Sequence, residues 1–154
     1  MKIRRTQLRD LDELAQLYKH NYNGIACAET NVQGMITKFN ELQNDKNYLF
    51  VSAIKDGHLV GFCEGVLNYE IIENQQPVLT LWNVRVLTNE RRSGIGEKLM
   101  QYAEQFAKEN NAVGIFAGCD FENKIGQSFY KKLGYREDFG YFKLIPNNTP
   151  ENRT

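Results

Sequence analysis

The stretch RRSGIGEKLM occupies positions 91–100 and decides the fold, because two glycines stand where an amphipathic helix begins. The helix carries apolar residues at helical spacing, namely Ile95, Leu99, Met100, Ala103 and Phe106. The preceding segment VLTLWNVRVL (78–87) predicts a strand, and the following segment NAVGIFAGC (111–119) predicts a short, buried strand. A strand, a helix and a strand in this order predict a parallel crossover.

Outward from this unit, the spacing of apolar residues predicts the other elements. They are a strand in MKIRRT (1–6), a helix from Leu8 that ends by NYNG (21–24), a helix over 32–42, two strands in YLFVSAIKDGHLVGFCEGVL (48–67), a helix in NKIGQSFYKKLGY (123–135) and a strand in REDFGYFKLI (136–145). Asp56 and Gly57 favour a tight hairpin turn between the paired strands, and Gly134 favours a left-handed helix cap. The order β-α-α-β-β-β-α-β-α-β predicts an α/β (α+β) fold with a mixed central sheet flanked by helices.

Length and composition predict one domain. A chain of 154 residues with 42% hydrophobic and 25% charged residues is long enough to bury a core, and we expect residues 1–146 to form that domain and 147–154 a polar tail. The formal net charge of zero gives no general attraction to nucleic acid. No apolar run predicts a membrane helix or a secretory signal. Three widely spaced cysteines predict reduced thiols in a cytoplasmic protein, and no ligand spacing predicts a metal.

The segment 91–97 has the parts of a phosphate site. A helix N-terminus leaves backbone N–H groups unpaired and carries partial positive charge. Gly94 and Gly96 have no Cβ to keep a phosphate away, and Arg91 and Arg92 add donors. The alternative is that the glycines only shape a turn. A P-loop would require Gly-Lys-Ser/Thr, and a dinucleotide fingerprint would require a third glycine near Leu99, and the sequence has neither.

Two motifs resemble those of the GNAT N-acetyltransferase superfamily. VRVLTNERRSGIGEKLM (84–100) resembles the acetyl-CoA-binding signature Arg/Gln-x-x-Gly-x-Gly/Ala after a strand, with Arg91, Gly94 and Gly96 in its places. ENKIGQSFYKKLGYRE (122–137) resembles the pattern Asn-x-x-Ala-x-x-Phe-Tyr-x-x-x-Gly-Phe, with Gly126 in place of Ala and Tyr135 in place of Phe. The order of elements over nearly the whole chain is similar to the family fold.

This resemblance implies acetyl-CoA as the cofactor and assigns residues to it. The backbone of Val84, Arg85 and Val86 would pair with the amides of the pantetheine arm, as an added strand pairs with an edge. Asn123 would contact the cofactor near its pantetheine portion, and Tyr130 would lie close to the thioester sulfur. The residues expected around the pyrophosphate are Arg91, Arg92, Ser93, Gly94, Ile95, Gly96 and Glu97.

Acetyl transfer to an amine needs a proton donor for the leaving thiolate and a proton acceptor for the amine. By motif position Tyr130 is the candidate general acid, and the alternative is that it only packs on the sheet. Glu64, on the strand beside the fourth, is the candidate general base, and the alternative is a solvated carboxylate. Thr80 stands where some relatives place a glutamate, so a water chain or an already neutral amine stays open. We expect Cys119, the one cysteine near the site, to be a packing residue, and the alternative is that it is a nucleophilic thiol.

In the family, the acceptor usually meets the loop between the first two helices and the loop between the third and fourth strands. Here the first loop carries Glu29, and the second carries Glu70 and Glu73. These carboxylates would favour a cationic amine such as a polyamine, an aminoglycoside or a lysine side chain. The alternative is that they are ordinary solvated loop charges.

The resemblance predicts an acyltransferase that acts on a small-molecule or protein amine, with no nucleic-acid or membrane partner. Tyr22 and Tyr69 are candidates for an aromatic wall at the acceptor, whereas we expect Trp82 to pack in the core. Two other function classes stay open, a non-catalytic acyl-CoA-binding sensor and a structural domain. A homodimer also stays open, because homodimers are frequent among similar proteins.

Overall fold

A computed structural model describes residues 1–21, 32–72, 76–138 and 140, which form a mixed five-stranded sheet with helices on both faces. The elements are β1 (Lys2–Arg5), α1 (Leu11–Asn21), α2 (Val32–Leu42), β2 (Tyr48–Lys55), β3 (His58–Asn68), β4 (Val78–Val86), α3 (Ile95–Glu109), β5 (Gly114–Ala117) and α4 (Lys124–Lys132). Short 3₁₀ turns at Leu8–Asp10 and Thr88–Glu90 precede α1 and α3. The predicted start of the first helix at Leu8 is therefore a 3₁₀ turn.

The strands follow the chain order β1-β2-β3-β4-β5 across the sheet. Neighbours are antiparallel except β4 and β5, which are parallel and joined by α3 as the crossover. The mixed sheet and the parallel crossover are thus confirmed. Asp56 and Gly57 turn the β2–β3 hairpin with φ values of 51° and 83°, as predicted.

The predicted last strand is the part of the fold that the described residues do not contain. Residues 136–138 are described and belong to no strand, and the remainder of 136–145, apart from Gly140, lies outside the described residues, as does the predicted tail at 147–154. Within the described part of the chain, no helix is long and apolar enough to cross a membrane.

The prediction of a buried strand at 111–119 is wrong in length and burial. β5 has only four residues, and Phe116 on it is 40% exposed. α3 packs against β5 from one face, whereas α1 packs on β3 and β4. Alternate side chains of β5 are therefore left open to solvent.

Two apolar layers hold the helices on the sheet. α3 buries the predicted stripe against one face, and the stripe comprises Ile95, Leu99, Met100, Ala103 and Phe106. On the other face, Leu14 and Leu17 of α1 pack against Leu59 and Phe62 of β3.

Gly134 ends α4 in the predicted left-handed conformation, with φ 88°.

Candidate active site

β4 extends farther than β5, and this mismatch shapes the candidate site. The two strands pair from Val78 to Leu81, and the last contact is the 3.0 Å bond from the Gly118 amide to the Leu81 carbonyl. β4 then continues to Val86 alongside β3. The segment 84–86, predicted to pair with a pantetheine arm, therefore lies in the part of β4 that outruns its parallel neighbour.

The side chains of this segment alternate between the two faces of the sheet. Val84 and Val86 pack against the apolar layer under α3. The Arg85 guanidinium lies on the other face, 5.9 Å from the centroid of the Tyr18 ring on α1. Packing on both sides keeps this stretch of backbone extended where β5 no longer pairs with β4.

The prediction that Trp82 packs in the core is wrong, because its side chain is 59% exposed. Gly65 of β3 pairs with Leu81, whereas Glu64 pairs with Asn83, so Trp82 is the extra residue of a β-bulge. A bulge shifts the phase of inward and outward side chains by one position. The alternation that buries Leu81 therefore resumes at Val84.

The N-terminus of α3 is open. Gly94 occupies the N-cap with φ 81°, and no side chain caps the helix. The Ser93 hydroxyl donates instead to the Glu90 carbonyl. The amides of the first helical turn have no acceptor within the helix, and a Cβ built on Gly94 would meet no atom within 4 Å. The site thus offers N–H donors and space to a diphosphate, as acetyl-CoA would require.

The two glycines at this helix start have different structural reasons. Gly94 adopts a positive φ that L side chains rarely adopt. Gly96 lies against α4, and a Cβ there would come within 3.1 Å of the Phe129 ring. Glycine at 96 therefore has a structural reason, the close packing of α3 on α4. This reason stands beside the expected access of a phosphate to the backbone. Arg92 also has a positive φ, 64°, which is uncommon outside glycine.

Basic side chains surround the helix start. Arg91 and Arg92 are exposed, and Arg91 Nε donates to the Val86 carbonyl at 3.3 Å, which links the loop to the end of β4. Lys132 Nζ of α4 lies 3.2 Å from Oε1 of Glu97, the acidic residue in the first turn. This exposed ion pair offsets the one carboxylate of the turn, so the local charge stays favourable for an anion.

Asn123 caps α4. Its Oδ1 accepts a 2.9 Å hydrogen bond from the Gly126 amide. A Cβ on Gly126 would lie 2.6 Å from Asn123 Nδ2 and 3.0 Å from Cys119 Sγ, so glycine at 126 leaves room for this close packing. The expected contact of Asn123 with the cofactor stays a prediction beside this structural role.

Tyr130 of α4 packs between two aromatic rings. Its ring centroid lies 5.2 Å from that of Phe129 and 5.7 Å from that of Tyr135. Burial, with a smaller contribution from Cys63 and Cys119, raises the pKa of the Tyr130 phenol above its usual value. Within the described ranges no residue hydrogen-bonds to its hydroxyl. The arrangement provides a protonated phenol with an uncommitted hydroxyl, which is what a proton donor needs.

The described cysteines do not have the character of nucleophiles. Burial, followed by the charge of Asp120, raises the pKa of the Cys119 thiol, and burial raises that of Cys63 to about 12. A thiol without thiolate character is a poor nucleophile, so nothing here favours Cys119 as one. Among the described residues, no group of His, Cys, Asp and Glu could hold a metal ion.

Glu64 is held by two donors, so it is not the solvated carboxylate of the alternative interpretation. The Tyr48 hydroxyl donates to Oε1, and Asn83 Nδ2 donates to Oε2 at 3.0 Å. Burial and the neighbouring Glu64 charge raise the pKa of the Tyr48 phenol, which therefore stays a donor. Sequence reasoning missed both partners, although an asparagine within the apolar strand VLTLWNVRV was a signal.

A cavity of about 540 Å³ opens between α1, α2 and the sheet, with Glu64 in its lining. Its walls are mainly apolar and include Leu11, Leu14, Tyr18, Met35, Phe39, Leu42, Phe50 and Phe62. Of the acidic residues predicted at the acceptor, Glu70 is exposed and does not line the cavity. Glu29 and Glu73, like Tyr22, lie outside the described residues, and Tyr69 is exposed.

Comparisons with known proteins identify relatives of this chain in sequence and in fold. Residues 11–135 match the sequence model of the Acetyltransferase (GNAT) family. An uncharacterized N-acetyltransferase of Archaeoglobus fulgidus is 34% identical over 113 residues, which cover 72% of this chain and 76% of that one. A transcriptional regulator from Bacillus halodurans shares the fold with a TM-score of 0.83 at 22% identity, covering 94% of this chain and 98% of that one. An aminoglycoside N-acetyltransferase in complex with CoA shares it with a TM-score of 0.78 at 20% identity, covering 94% of both chains.

Proposed function

The chain belongs to the Acetyltransferase (GNAT) family and is an acyltransferase that uses acetyl-CoA, and we propose that it acetylates a primary amine by direct attack in a ternary complex. One observation carries the proposal. α3 has a left-handed glycine as its N-cap with no capping side chain, and the strand that precedes it in the fold, β4, outruns its parallel neighbour. This juxtaposition provides a diphosphate site and an extended backbone next to it.

The residues proposed to hold the cofactor are those that surround this opening. First-turn amides, with Arg91 and Arg92, would bind the pyrophosphate. The backbone of Val84, Arg85 and Val86 would pair with the pantetheine amides. The remaining residues proposed for the cofactor are Ser93, Gly94, Ile95, Gly96, Glu97, Asn123 and Tyr130.

Acetyl-CoA, when bound, supplies an acetyl group activated as a thioester. Tyr130 would hold a proton for the sulfur as the C–S bond breaks, because its raised pKa keeps the phenol protonated. The amine nitrogen would form the new N–C bond, and its surplus proton would pass to Glu64, directly or through a water molecule. Tyr48 and Asn83 would orient that carboxylate through their hydrogen bonds.

The acceptor is either a small-molecule amine or a protein amine. The CoA-bound structural relative is named for aminoglycosides, and this supports a small-molecule amine for the present chain. The cavity beside Glu64 also supports a small acceptor, because it is a concave, mainly apolar space between α1, α2 and the sheet. We further propose that residues 1–146 form the catalytic domain, and that the free thiols of Cys63 and Cys119 reflect a cytoplasmic location.

An assay for free thiol with acetyl-CoA and a panel of primary amines tests the proposal. We expect thiol release that depends on both the protein and the amine, with an N-acetylated product of matching mass. An acyl-CoA-binding sensor would bind acetyl-CoA in calorimetry and release no thiol with any amine. A protein that neither binds acetyl-CoA nor releases thiol would contradict the proposal altogether.

A further inference from the structure

The cavity beside Glu64 has the chemistry of a site for an apolar amine. We propose that the acceptor is a primary monoamine with an aryl or branched-alkyl body, and that polycationic amines are excluded. This inference rests on the proposed acetyl transfer, since it assigns the cavity to the acceptor. The acidic loop residues, by contrast, favoured a cationic amine such as a polyamine or an aminoglycoside.

Aromatic rings form a continuous wall of the cavity. The ring centroids of Phe39 on α2 and Phe50 on β2 lie 6.4 Å apart with an interplanar angle of 58°. Phe62 on β3 follows at 6.3 Å from Phe50 in an edge-to-face arrangement of 79°. All three rings line the cavity, so the body of a bound molecule would contact apolar surface over most of its length.

α2 contributes to this wall without burying a residue of its own. None of its residues is buried, and Met35 and Phe39 are only half-buried although they face the cavity. An apolar molecule in the cavity would remove these side chains from water. The gain in free energy follows the apolar area covered, so a longer apolar body should bind more tightly.

The charges of the lining suit one ammonium group and no more. The charged lining residues are Glu64, Asp45, Arg5, Lys38 and Lys46. Glu64 is the half-buried acid, and among the described residues no basic side chain pairs with it. Asp45 is exposed, and its Oδ1 accepts the Asn47 amide. Lys38 pairs with Glu41 outside the lining, so among the described lining residues Glu64 and Asp45 are balanced by Arg5 and Lys46. A second or third ammonium group of a ligand would therefore find no excess negative charge there.

The position of Glu64 connects this cavity with the proposed cofactor site. Glu64 pairs with Asn83 across β3 and β4, and Asn83 directly precedes Val84, the first residue of the proposed pantetheine segment. An amine held at Glu64 would therefore lie beside that segment, with its apolar body directed toward α2. The nitrogen and the body of such a molecule are thus matched to different parts of one cavity.

Turnover of phenylethylamine, spermidine and an aminoglycoside at saturating acetyl-CoA tests this inference. We expect kcat/KM for phenylethylamine to exceed that for spermidine by at least about tenfold. Phe39→Glu adds a carboxylate to a half-exposed position of the wall. This variant should have a lower kcat/KM for phenylethylamine and a higher kcat/KM for spermidine than the parent. Phe39→Leu, the matched control, keeps the wall apolar and should keep the preference.

The outcomes separate this inference from the proposed function. Faster turnover of spermidine or of the aminoglycoside would overturn the inference and leave acetyl transfer intact. If no amine is acetylated, the proposed function fails, and calorimetry with CoA-loaded protein then decides the inference. Saturable binding of phenylethylamine that Phe39→Glu weakens would support the cavity as a site for an apolar amine, and no binding of phenylethylamine would overturn it.

Discussion

Glu64 of β3 lies directly opposite Asn83 of β4, and Asn83 Nδ2 donates to Glu64 Oε2 at 3.0 Å. The pairing occurs at the β-bulge of β4, where Trp82 is the extra residue. In a regular register without the bulge, Glu64 would pair with Trp82 instead of Asn83. The bulge thus brings the candidate base and its amide partner into one register.

Replacing Glu64 by glutamine should slow acetylation and leave cofactor binding intact. Glu64→Gln keeps the size of the side chain and removes its ability to take a proton at neutral pH. We expect kcat/KM for the amine to fall about 100-fold, a typical contribution of a general base. Steady-state kinetics measure the fall, and Glu70→Gln, which changes an exposed acid outside the cavity, is the control. Equal rates in the Glu64 and Glu70 variants would remove Glu64 from the chemistry.

Replacing Tyr130 by phenylalanine should lower kcat strongly, because it removes one hydroxyl and leaves the ring packing between Phe129 and Tyr135. We expect a loss of about 100-fold or more in kcat, with the Kd for acetyl-CoA changed less than about twofold. Kinetics and calorimetry on the same preparation separate the two effects. Tyr135→Phe is the control, and an unchanged kcat in Tyr130→Phe would leave that residue a packing role only.

The pH dependence of stability should depend on Asp10. Burial alone would raise the pKa of Asp10, but hydrogen bonds from Arg4 and the Gln7 amide outweigh it and lower that pKa below its usual value. A lowered folded pKa contributes stability that is present above the unfolded pKa, about 3.9, and is lost as pH falls through the folded pKa. The free energy of unfolding should therefore drop below about pH 4 in the parent protein.

Urea unfolding at a series of pH values measures this loss. Asp10→Asn should be less stable at neutral pH by about 2 kcal/mol, because it leaves the Arg4 guanidinium without its ionic partner. Its stability should also change less between pH 5 and 3 than that of the parent. Asp12→Asn, at an exposed position of α1, is the control. The account of Asp10 fails if parent and Asp10→Asn show parallel acid profiles.

The sequence was sufficient for the parts of the fold that local patterns determine. The apolar stripe of α3 from Ile95 to Phe106 follows from helical spacing, and the Asp56–Gly57 turn follows from the φ values that these residues tolerate. The exposure of Trp82 depends on strand register, which arises only when β4 pairs with β3. No pattern within the strand predicts that bulge.

The sequence alone did not predict the cavity, for a related reason. Met35 and Phe39 have the spacing of a core-facing helix, and nothing in that spacing distinguishes packing on a sheet from lining a cavity above it. Tyr48 and Phe50 likewise alternate as in any half-buried strand. The candidate cofactor residues could be proposed because their motifs are local, whereas the acceptor cavity combines residues that are distant in sequence.

Calorimetric titration of Gly94→Ala with acetyl-CoA tests most directly whether the open N-terminus of α3 binds the diphosphate. Gly57→Ala is the matched control, because Gly57 has nearly the same φ, 83° against 81°, with open space around its Cβ position, and lies in the β2–β3 turn. Both variants acquire similar backbone strain, so a difference in affinity reports on the site. We expect Gly94→Ala to weaken acetyl-CoA binding by about tenfold or more, with Gly57→Ala close to the parent. Parent-like affinity in a folded Gly94→Ala would contradict the account.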